Sequence, residues 1–247
     1  MKKYFFLLCF FLSCYQTLSA YKTVPVPFKV GEYMEFNVRL FNKTVAVQKV
    51  WVKDIVEVNG VSCYHIYADI ETVPVVSAVY RLHDQANEYI DVNTLHPVKI
   101  YTKIKEGSWT NTIQMDISQE KKTIHYVDKR SDKEIKYDGD VLGLISLLFF
   151  TRTVVPDKNE KITFTLSNGD RIDYINAVVS DVANKLSVKE LKKVFKAILY
   201  NQIGGRNVAL WIGTDKYRLP IRMISVRLKL AGYGITNIEA WLVKHVP

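Results

Sequence analysis

The sequence predicts a mainly β protein: a curved antiparallel sheet, or an open or partly closed β-barrel, carrying one or two short helices. Three observations lead there. Apolar and polar residues alternate with a period of two along most of the chain, as strands with one dry and one wet face do. Asn-Gly and other glycine-bearing pairs interrupt that alternation at short intervals, as hairpin turns require. Only two stretches depart from the pattern, Val141–Phe150 and Leu186–Tyr200.

Before the first strand comes a different kind of segment. Lys2 and Lys3 precede an apolar run, Tyr4–Leu12, and a more polar stretch ending Leu18-Ser19-Ala20. That is the three-part layout of a secretory signal. The apolar run is about nine residues, too short to span a hydrocarbon layer of ~30 Å, which takes about 20 residues as a helix. Residues 1–20 therefore read as a signal peptide and 21–247 as a single exported β-rich domain. Cleavage after Ala20 makes Tyr21 the mature N-terminus. Phe11-Leu12-Ser13-Cys14 also approximates a lipoprotein box, in which Cys14 is acylated and becomes the first residue. A third reading keeps the segment as an uncleaved anchor. Only acylation at Cys14 predicts peripheral membrane association; Tyr21 leaves the domain free. The expected location is the periplasm or the outer membrane of a Gram-negative bacterium.

Composition sets the limits of size and class. Taking 20 residues from 247 leaves 227, enough for one large β domain. At 48% hydrophobic and 24% charged the chain has ample core. The net charge of +9 includes Lys2 and Lys3. The remaining basic residues are scattered in short clusters such as Lys121-Lys122 and Lys192-Lys193, which reads as a solvated surface rather than a nucleic-acid site. Of three cysteines, Cys9 and Cys14 lie in the signal region, so Cys63 has no partner for a disulfide. The core, and not covalent staples, must hold the fold.

The strands can be placed in order. Tyr64, Ile66, Ala68 and Ile70 alternate with Cys63, His65, Tyr67 and Asp69; Val98, Ile100 and Ile104 with lysines and Tyr101. Trp109, Ile113, Met115 and Ile117 form a third face, Ile162, Phe164 and Leu166 a fourth, and Ile224 through Leu230 a fifth. Ser77–Tyr80 reads as a further apolar strand. Asn59-Gly60 and Asn168-Gly169 each supply the positive φ angles of a type I′ turn. Glu106-Gly107, Asp138-Gly139 and Gly204-Gly205 mark further reversals. Asp140 is placed to cap a helix from Val141 to about Phe150, and since that stretch is apolar all round, the helix should be buried against the sheet. In Leu186–Tyr200, Val188, Leu191, Val194, Phe195 and Ile198 fit a helical stripe. The reading taken is a short helix or loop near Val182–Glu190, with a strand from about Lys193.

Several landmarks together resemble a known family. Phe28-Lys29-Val30-Gly31-Glu32 is followed by Ser77-Ala78-Val79-Tyr80-Arg81-Leu82-His83-Asp84, then Ile90-Asp91 and Thr94-Leu95-His96-Pro97. Asp140–Leu144, Leu147, Leu148 and Arg152 form an Asp-to-Arg apolar segment, and Trp211–Ile221 a Trp strand, an Asp turn and an Arg-x-Pro strand. This order is similar to the bacterial exported proteins catalogued as domain of unknown function 3108, over roughly Phe28 to Leu242. The resemblance implies an exported, mainly antiparallel β protein and no particular activity. The family has a strand entered through a glycine turn where Leu191–Tyr200 lies; here Lys192-Lys193 replaces that turn.

Signatures of chemistry are sparse. The chain contains no Gly-x-Ser-x-Gly, no His-Glu-x-x-His, no phosphate loop and no Gly-x-Gly-x-x-Gly. Its five histidines are His65, His83, His96, His125 and His245. His65 shares a strand face with Cys63 and Asp69, a ligand-like spacing, but it reads as an exposed polar face beside a buried thiol. His83-Asp84 could orient one another, yet adjacent strand residues point to opposite faces. Asp215 in Gly213-Thr214-Asp215-Lys216 reads as a turn-former. No catalytic, cofactor-binding or metal-binding residue is assigned, and no cofactor is expected. Aromatics, including 15 Tyr and 4 Trp, suit cross-strand packing and equally a ligand-lined concavity.

The function expected is a non-enzymatic envelope module that binds an amphipathic ligand or an envelope partner on a concave face. The alternative is a structural or assembly protein acting through its surface; a hydrolase on envelope material ranks below both. Candidate partners are a lipid, a glycan or an envelope protein, and not nucleic acid. The mass of the mature chain from its own envelope fraction is expected to begin at Tyr21; a mass beginning at acylated Cys14 would establish the tethered form instead.

Overall fold

The computed structural model describes residues 22–202, 208–230 and 233–247, with side chains at all of these except 168 and 225–237. Cys9, Cys14, Ala20 and Tyr21, the Gly204-Gly205 pair and most of the Ile224–Leu230 face lie outside that description. The first half of the chain builds β1 (Lys22–Thr23), β2 (Tyr33–Leu40), β3 (Lys43–Val58), β4 (Val61–Thr72), α1 (Pro74–Ser77), β5 (His83–Asp91), β6 (Pro97–Glu106) and β7 (Trp109–Ser118). Next come β8 (Thr123–Val127), β9 (Asp132–Lys136), β10 (Val141–Leu142), α2 (Leu144–Thr151) and β11 (Val154–Val155). The C-terminal half holds β12 (Lys161–Asn168), β13 (Arg171–Val188), β14 (Lys193–Gln202), β15 (Ala209–Gly213), β16 (Pro220–Leu230) and β17 (Tyr233–Val246).

Among the described residues β1 pairs with β11 alone; the other strands form one sheet ordered β10-β12-β13-β14-β15-β16-β17-β2-β3-β4-β5-β6-β7-β8-β9. It consists of two antiparallel meanders, β2–β9 and β12–β17, joined where β17 lies beside β2 with Ile238 opposite Leu40 and Val246 opposite Tyr33. The alternation that predicts the strands is the alternation that fills the core. Met34, Phe36 and Val38, then Val50 and Val52, then Ile66 and Ala68 are buried on one face, while the intervening residues meet solvent.

Chain connectivity forces this sheet to roll. β9 lies at one end of the sheet and β10 at the other, yet only residues 137–140 separate them. Five residue steps reach at most ~18 Å, so the two ends must approach. They do so through side chains: Ser167 Oγ lies 3.2 Å from Met115 Sδ, Lys133 Nζ lies 3.3 Å from Asp170, and Ile172 packs on the cluster of Ile100, Met115, Ile117 and Ile124. Among the described residues no ladder joins β9 to β12. The result is a large curved sheet, barrel-like and not closed.

Several local expectations are met and others corrected. Asn59 (φ 53°) and Gly60 (φ 79°) both take the positive angles of a type I′ turn. The second hairpin forms one residue later than Asn168-Gly169 suggests. Asn168 pairs with Arg171, so the turn is Gly169-Asp170, with Gly169 (φ 63°) carrying the positive angle. Ser77–Tyr80 is not a strand, because Pro74 fixes the first turn of α1 and the Ser77 hydroxyl bonds Thr72. Of Val182–Glu190, expected as a short helix or loop, only Lys189 and Glu190 lie in a turn. Val182–Val188 continues β13, whose register shifts near Val179, Asp181 and Asn184 let it bend, and Leu186 and Val188 are buried. The turn at 189–192 places β14 at Lys193, where the strand was expected.

Val141–Phe150 is helical only from Leu144, and Asp140 does not cap it. Val141 and Leu142 pair in parallel with Thr165 and Leu166, and Gly143 holds the cap position. Asp140 instead bonds Lys122 at 2.8 Å. α2 buries Ile145 and Phe149 inside the rolled sheet, as an all-apolar helix must. Its C-terminal end is fixed by Arg152, whose guanidinium donates to both Glu32 carboxylate oxygens at 2.7 and 2.8 Å and to the Tyr217 carbonyl at 2.9 Å. The side chains of Arg152 and Glu32 are 0% and 1% exposed. His245 Nε2 lies 3.0 Å from Glu32, and Phe28 and Phe149 cover the guanidinium at 5.1 and 5.2 Å. Burial by itself would raise the Glu32 carboxyl, but bonds from Arg152 and His245 outweigh it and hold the group below the usual carboxylate range. Its contribution to stability is therefore present above the unfolded value and lost as pH falls through the folded one.

Arg152→Met strands the Glu32 charge in the core and is expected to cost roughly 3–5 kcal/mol in urea unfolding. The double variant Glu32→Leu/Arg152→Met should recover part of that loss, which comparison of the two unfolding midpoints checks.

Candidate functional site

The inner face of β5 departs from the apolar rule of its neighbours. Asp84, Ala86, Glu88 and Ile90 share that face by parity, and Ile90 is buried as expected. Glu88 is buried too. Its carboxylate takes the place of a missing side-chain cap on α2, accepting the N–H of Ser146 at 3.0 Å and of Ile145 at 3.3 Å. Gly143 permits this approach: a Cβ there would collide with the Glu88 carboxylate and lie 2.8 Å from Ile100 Cδ1. Burial pushes the Glu88 carboxyl up to about 7, although the bonds from Ser146 and Ile145 pull the other way.

Above Glu88 lies a cavity of about 330 Å³. Ala68, Ala86, Ile100, Ile104, Ile113 and Met115 contribute its sheet wall, Leu144 and Ile145 its helix wall, and Ser167 and Gly169 the side where the two ends of the sheet meet. Ile100 and Met115 are buried, Ile104, Ile113 and Asp84 half-buried, and Leu144 exposed, so the cavity deepens from Asp84 towards Ile100. Asp84 accepts the backbone N–H of Lys105 at 2.8 Å, and its carboxyl is raised above the ordinary value chiefly by burial. The arrangement can take up an apolar chain and hold a polar end at the rim.

The residues singled out in the sequence fall elsewhere, mostly on the outer face. His65 bonds Asp54 at 3.1 Å and Asn87 at 2.8 Å and stacks on Tyr89; it does not meet Cys63, whose thiol is buried, contacts the Val61 carbonyl and is pushed up to about 11 by burial. His83 bonds Asp69 at 2.9 Å and not Asp84. His125 bonds Asp132, and His96 stacks on Phe150, with burial holding it below its ordinary value. Asp215 accepts the N–H groups of Tyr217 and Arg218 as a turn-former. Among the described residues no hydrogen bond joins a histidine to a serine or cysteine, and no three His, Cys, Asp or Glu side chains are grouped to hold a metal ion. A shallower groove on the outer face is lined by His65, Asn87, Tyr89 and Tyr101.

Glu88 and His245 do not stand out in the sequence as site residues. For Glu88 a signal exists: Asp84 and Glu88 occupy the face that Ile90 defines as inward. For His245 there is none, since its Glu32 partner is 213 residues away.

Landmarks dispersed over the chain converge in space. Glu32, Arg152, Tyr217 and Arg218 meet at one buried knot, where Arg218 also donates to the Arg152 carbonyl. The family model described as "Protein of unknown function (DUF3108)" matches residues 34–230. The chain belongs to this family. Among solved structures, a β-barrel-like protein of domain of unknown function DUF1849 from Brucella abortus is similar, with a TM-score of 0.52 and 12% identity over 88% of this chain and 97% of that one. At that identity the likeness concerns the fold alone. No curated protein matches the chain.

A raised carboxyl destabilises the folded state as pH rises. The Glu88 contribution is complete below the unfolded value of 4.5 and is lost as pH climbs through about 7. Between those limits the wild type is expected to lose about 3 kcal/mol that Glu88→Gln does not lose. Urea unfolding of both proteins across that range checks it.

Proposed function

We propose that this DUF3108 protein is an exported, non-enzymatic binding module that takes a single-chain amphiphile into the cavity between β4–β7 and α2. The observation that carries the reading is the cavity itself: about 330 Å³, apolar along its sheet wall, and graded from a buried floor at Ile100 and Met115 to a half-open rim at Asp84 and Ile104. A solid core would have closed this space, since interiors otherwise pack to crystal density. α2 fills the remainder of the rolled sheet and fixes one wall, so the site is preformed. At ~30 Å³ for each water-sized group, the volume holds roughly ten heavy atoms, and each buried methylene is worth about 0.8 kcal/mol.

The signal-like N-terminus supports the choice of ligand class. Lys2-Lys3, the Tyr4–Leu12 run and Ala20 have the layout of an export signal, and beyond the inner membrane lipids and their breakdown products are at hand. A second reading, an assembly protein acting through its surface, is supported by exposed Phe41 at the β2–β3 turn and Val75 and Val79 at and after α1.

The test fills the cavity. Nile red, a neutral dye, should bind the wild-type protein saturably and be displaced by decanol. Ala86→Phe, which puts a ring into the sheet wall, is expected to weaken decanol binding at least tenfold, or about 1.4 kcal/mol, while leaving the urea midpoint within the range of surface variants. Dye binding unchanged by Ala86→Phe would favour the surface reading.

A further inference from the structure

Granted the binding reading, one property of the cavity defines its ligand further. Every charged side chain that lines it is a carboxylate: Asp84, Glu88 and Asp69 are present, and no Lys, Arg or His is. This occurs in a chain of net charge +9, whose surface would favour anions. Asp69 belongs to the outer face, where it is bonded to His83 and Gln85. Asp84 and Glu88 remain, on the inner face of β5.

The two are not equivalent. Both Glu88 oxygens are engaged by the first amides of α2, and the residue is buried at the floor. Asp84 stands at the half-open rim and accepts a single backbone N–H, that of Lys105. A carboxylate has about four lone-pair sites, so Asp84 keeps acceptor capacity on the cavity side. The neighbouring inward polar groups, Gln48 and Thr102, are neutral.

We infer that the cavity selects amphiphiles by head-group charge, binding those with a cationic amine head at Asp84 and rejecting those with a carboxylate head. An ammonium at the rim meets Asp84 in a partly dehydrated setting where charge pairing is stronger than in water. A carboxylate head meets like charge there, and one pushed deeper meets Glu88. The apolar tail lies along Ile104, Ile113 and Ile100 in either case, so head-group charge alone decides the ranking. Alkyl amines and lipids with an amine head group share this chemistry.

Decylamine, decanol and decanoate have the same chain and differ in head group, and at pH 7.5 the first is a cation and the last an anion. Displacement of Nile red from the full chain compares them below their micellar concentrations. Decylamine is expected to displace the dye at roughly tenfold lower concentration than decanol, and decanoate at roughly tenfold higher. Asp84→Asn keeps an oxygen for the Lys105 N–H and should bring decylamine to within about twofold of decanol measured on the same variant. Ligand-free melting temperatures of the two proteins verify that the variant is folded. Decanoate equal to or better than decylamine, or a preference for the amine that survives Asp84→Asn, overturns the charge inference and leaves the binding module standing. If none of the three displaces the dye, the cavity reading and the inference fail together.

Discussion

Arg152 ties together parts of the chain that have no local reason to meet. Its guanidinium joins Glu32, just before β2, to the Tyr217 carbonyl between β15 and β16, and its backbone carbonyl accepts from Arg218. Because both charges are removed from water, neither tolerates the loss of the other. The two are therefore kept or lost together: Glu32 neutralises Arg152 at the C-terminal end of α2, and either one alone would be an uncompensated buried charge. Phe28 and Phe149 close over the guanidinium, and His245 completes the acceptor side of Glu32. The N-terminal and C-terminal meanders are thereby locked at the same point where β17 pairs with β2.

The opposite end of α2 is held by a carboxylate under very different terms. Glu32 has a permanent cation and lies below the ordinary carboxylate range; Glu88 has only the neutral donors of Ser146 and Ile145, and burial pushes it up to about 7. One stabilises the fold as pH rises from acid, the other weakens it towards neutrality. An Asn or Ser at position 143 would be the ordinary cap. Gly143 gives that up so that Glu88 can approach, and the cost is a buried group that resists ionisation. Such a trade is common where a local rule is broken for a site, and here it leaves an acid at the floor of the cavity.

The cavity itself follows from topology. Residues 137–140 carry the chain from one end of the sheet to the other, which rolls the sheet without pairing its ends. Where the ends meet, side chains such as Met115, Ser167 and Ile172 replace a hydrogen-bonded ladder. Side-chain contacts fill space less completely than continuous strands do, and the space they leave lies beside Gly169 and Leu144. The same event that rolls the fold therefore creates the cavity.

Much of this architecture is legible from residue order. Period-two faces at Ile66–Ala68, Val98–Ile100 and Ile162–Leu166 locate strands because each face must be either wet or dry. Asn59-Gly60 locates a hairpin because few residues accept two positive φ angles. The helix at Leu144 is legible as apolar on all sides, though not its first residue, since Val141 and Leu142 join β12 instead. At Leu186–Tyr200 the pattern misleads, because Val188, Phe195 and Ile198 are buried on two strands as they would be on a helical stripe, whereas Val194 of that stripe is exposed. The landmarks Glu32, Arg152 and Arg218 can be recognised individually, but not their meeting. By itself the sequence determined strand faces, turns and the apolar helix, all set by interactions within a few residues. The tertiary structure alone decided which inward carboxylate received a cation and which did not. That depends on groups brought together from distant positions, 120 residues apart for Glu32 and Arg152.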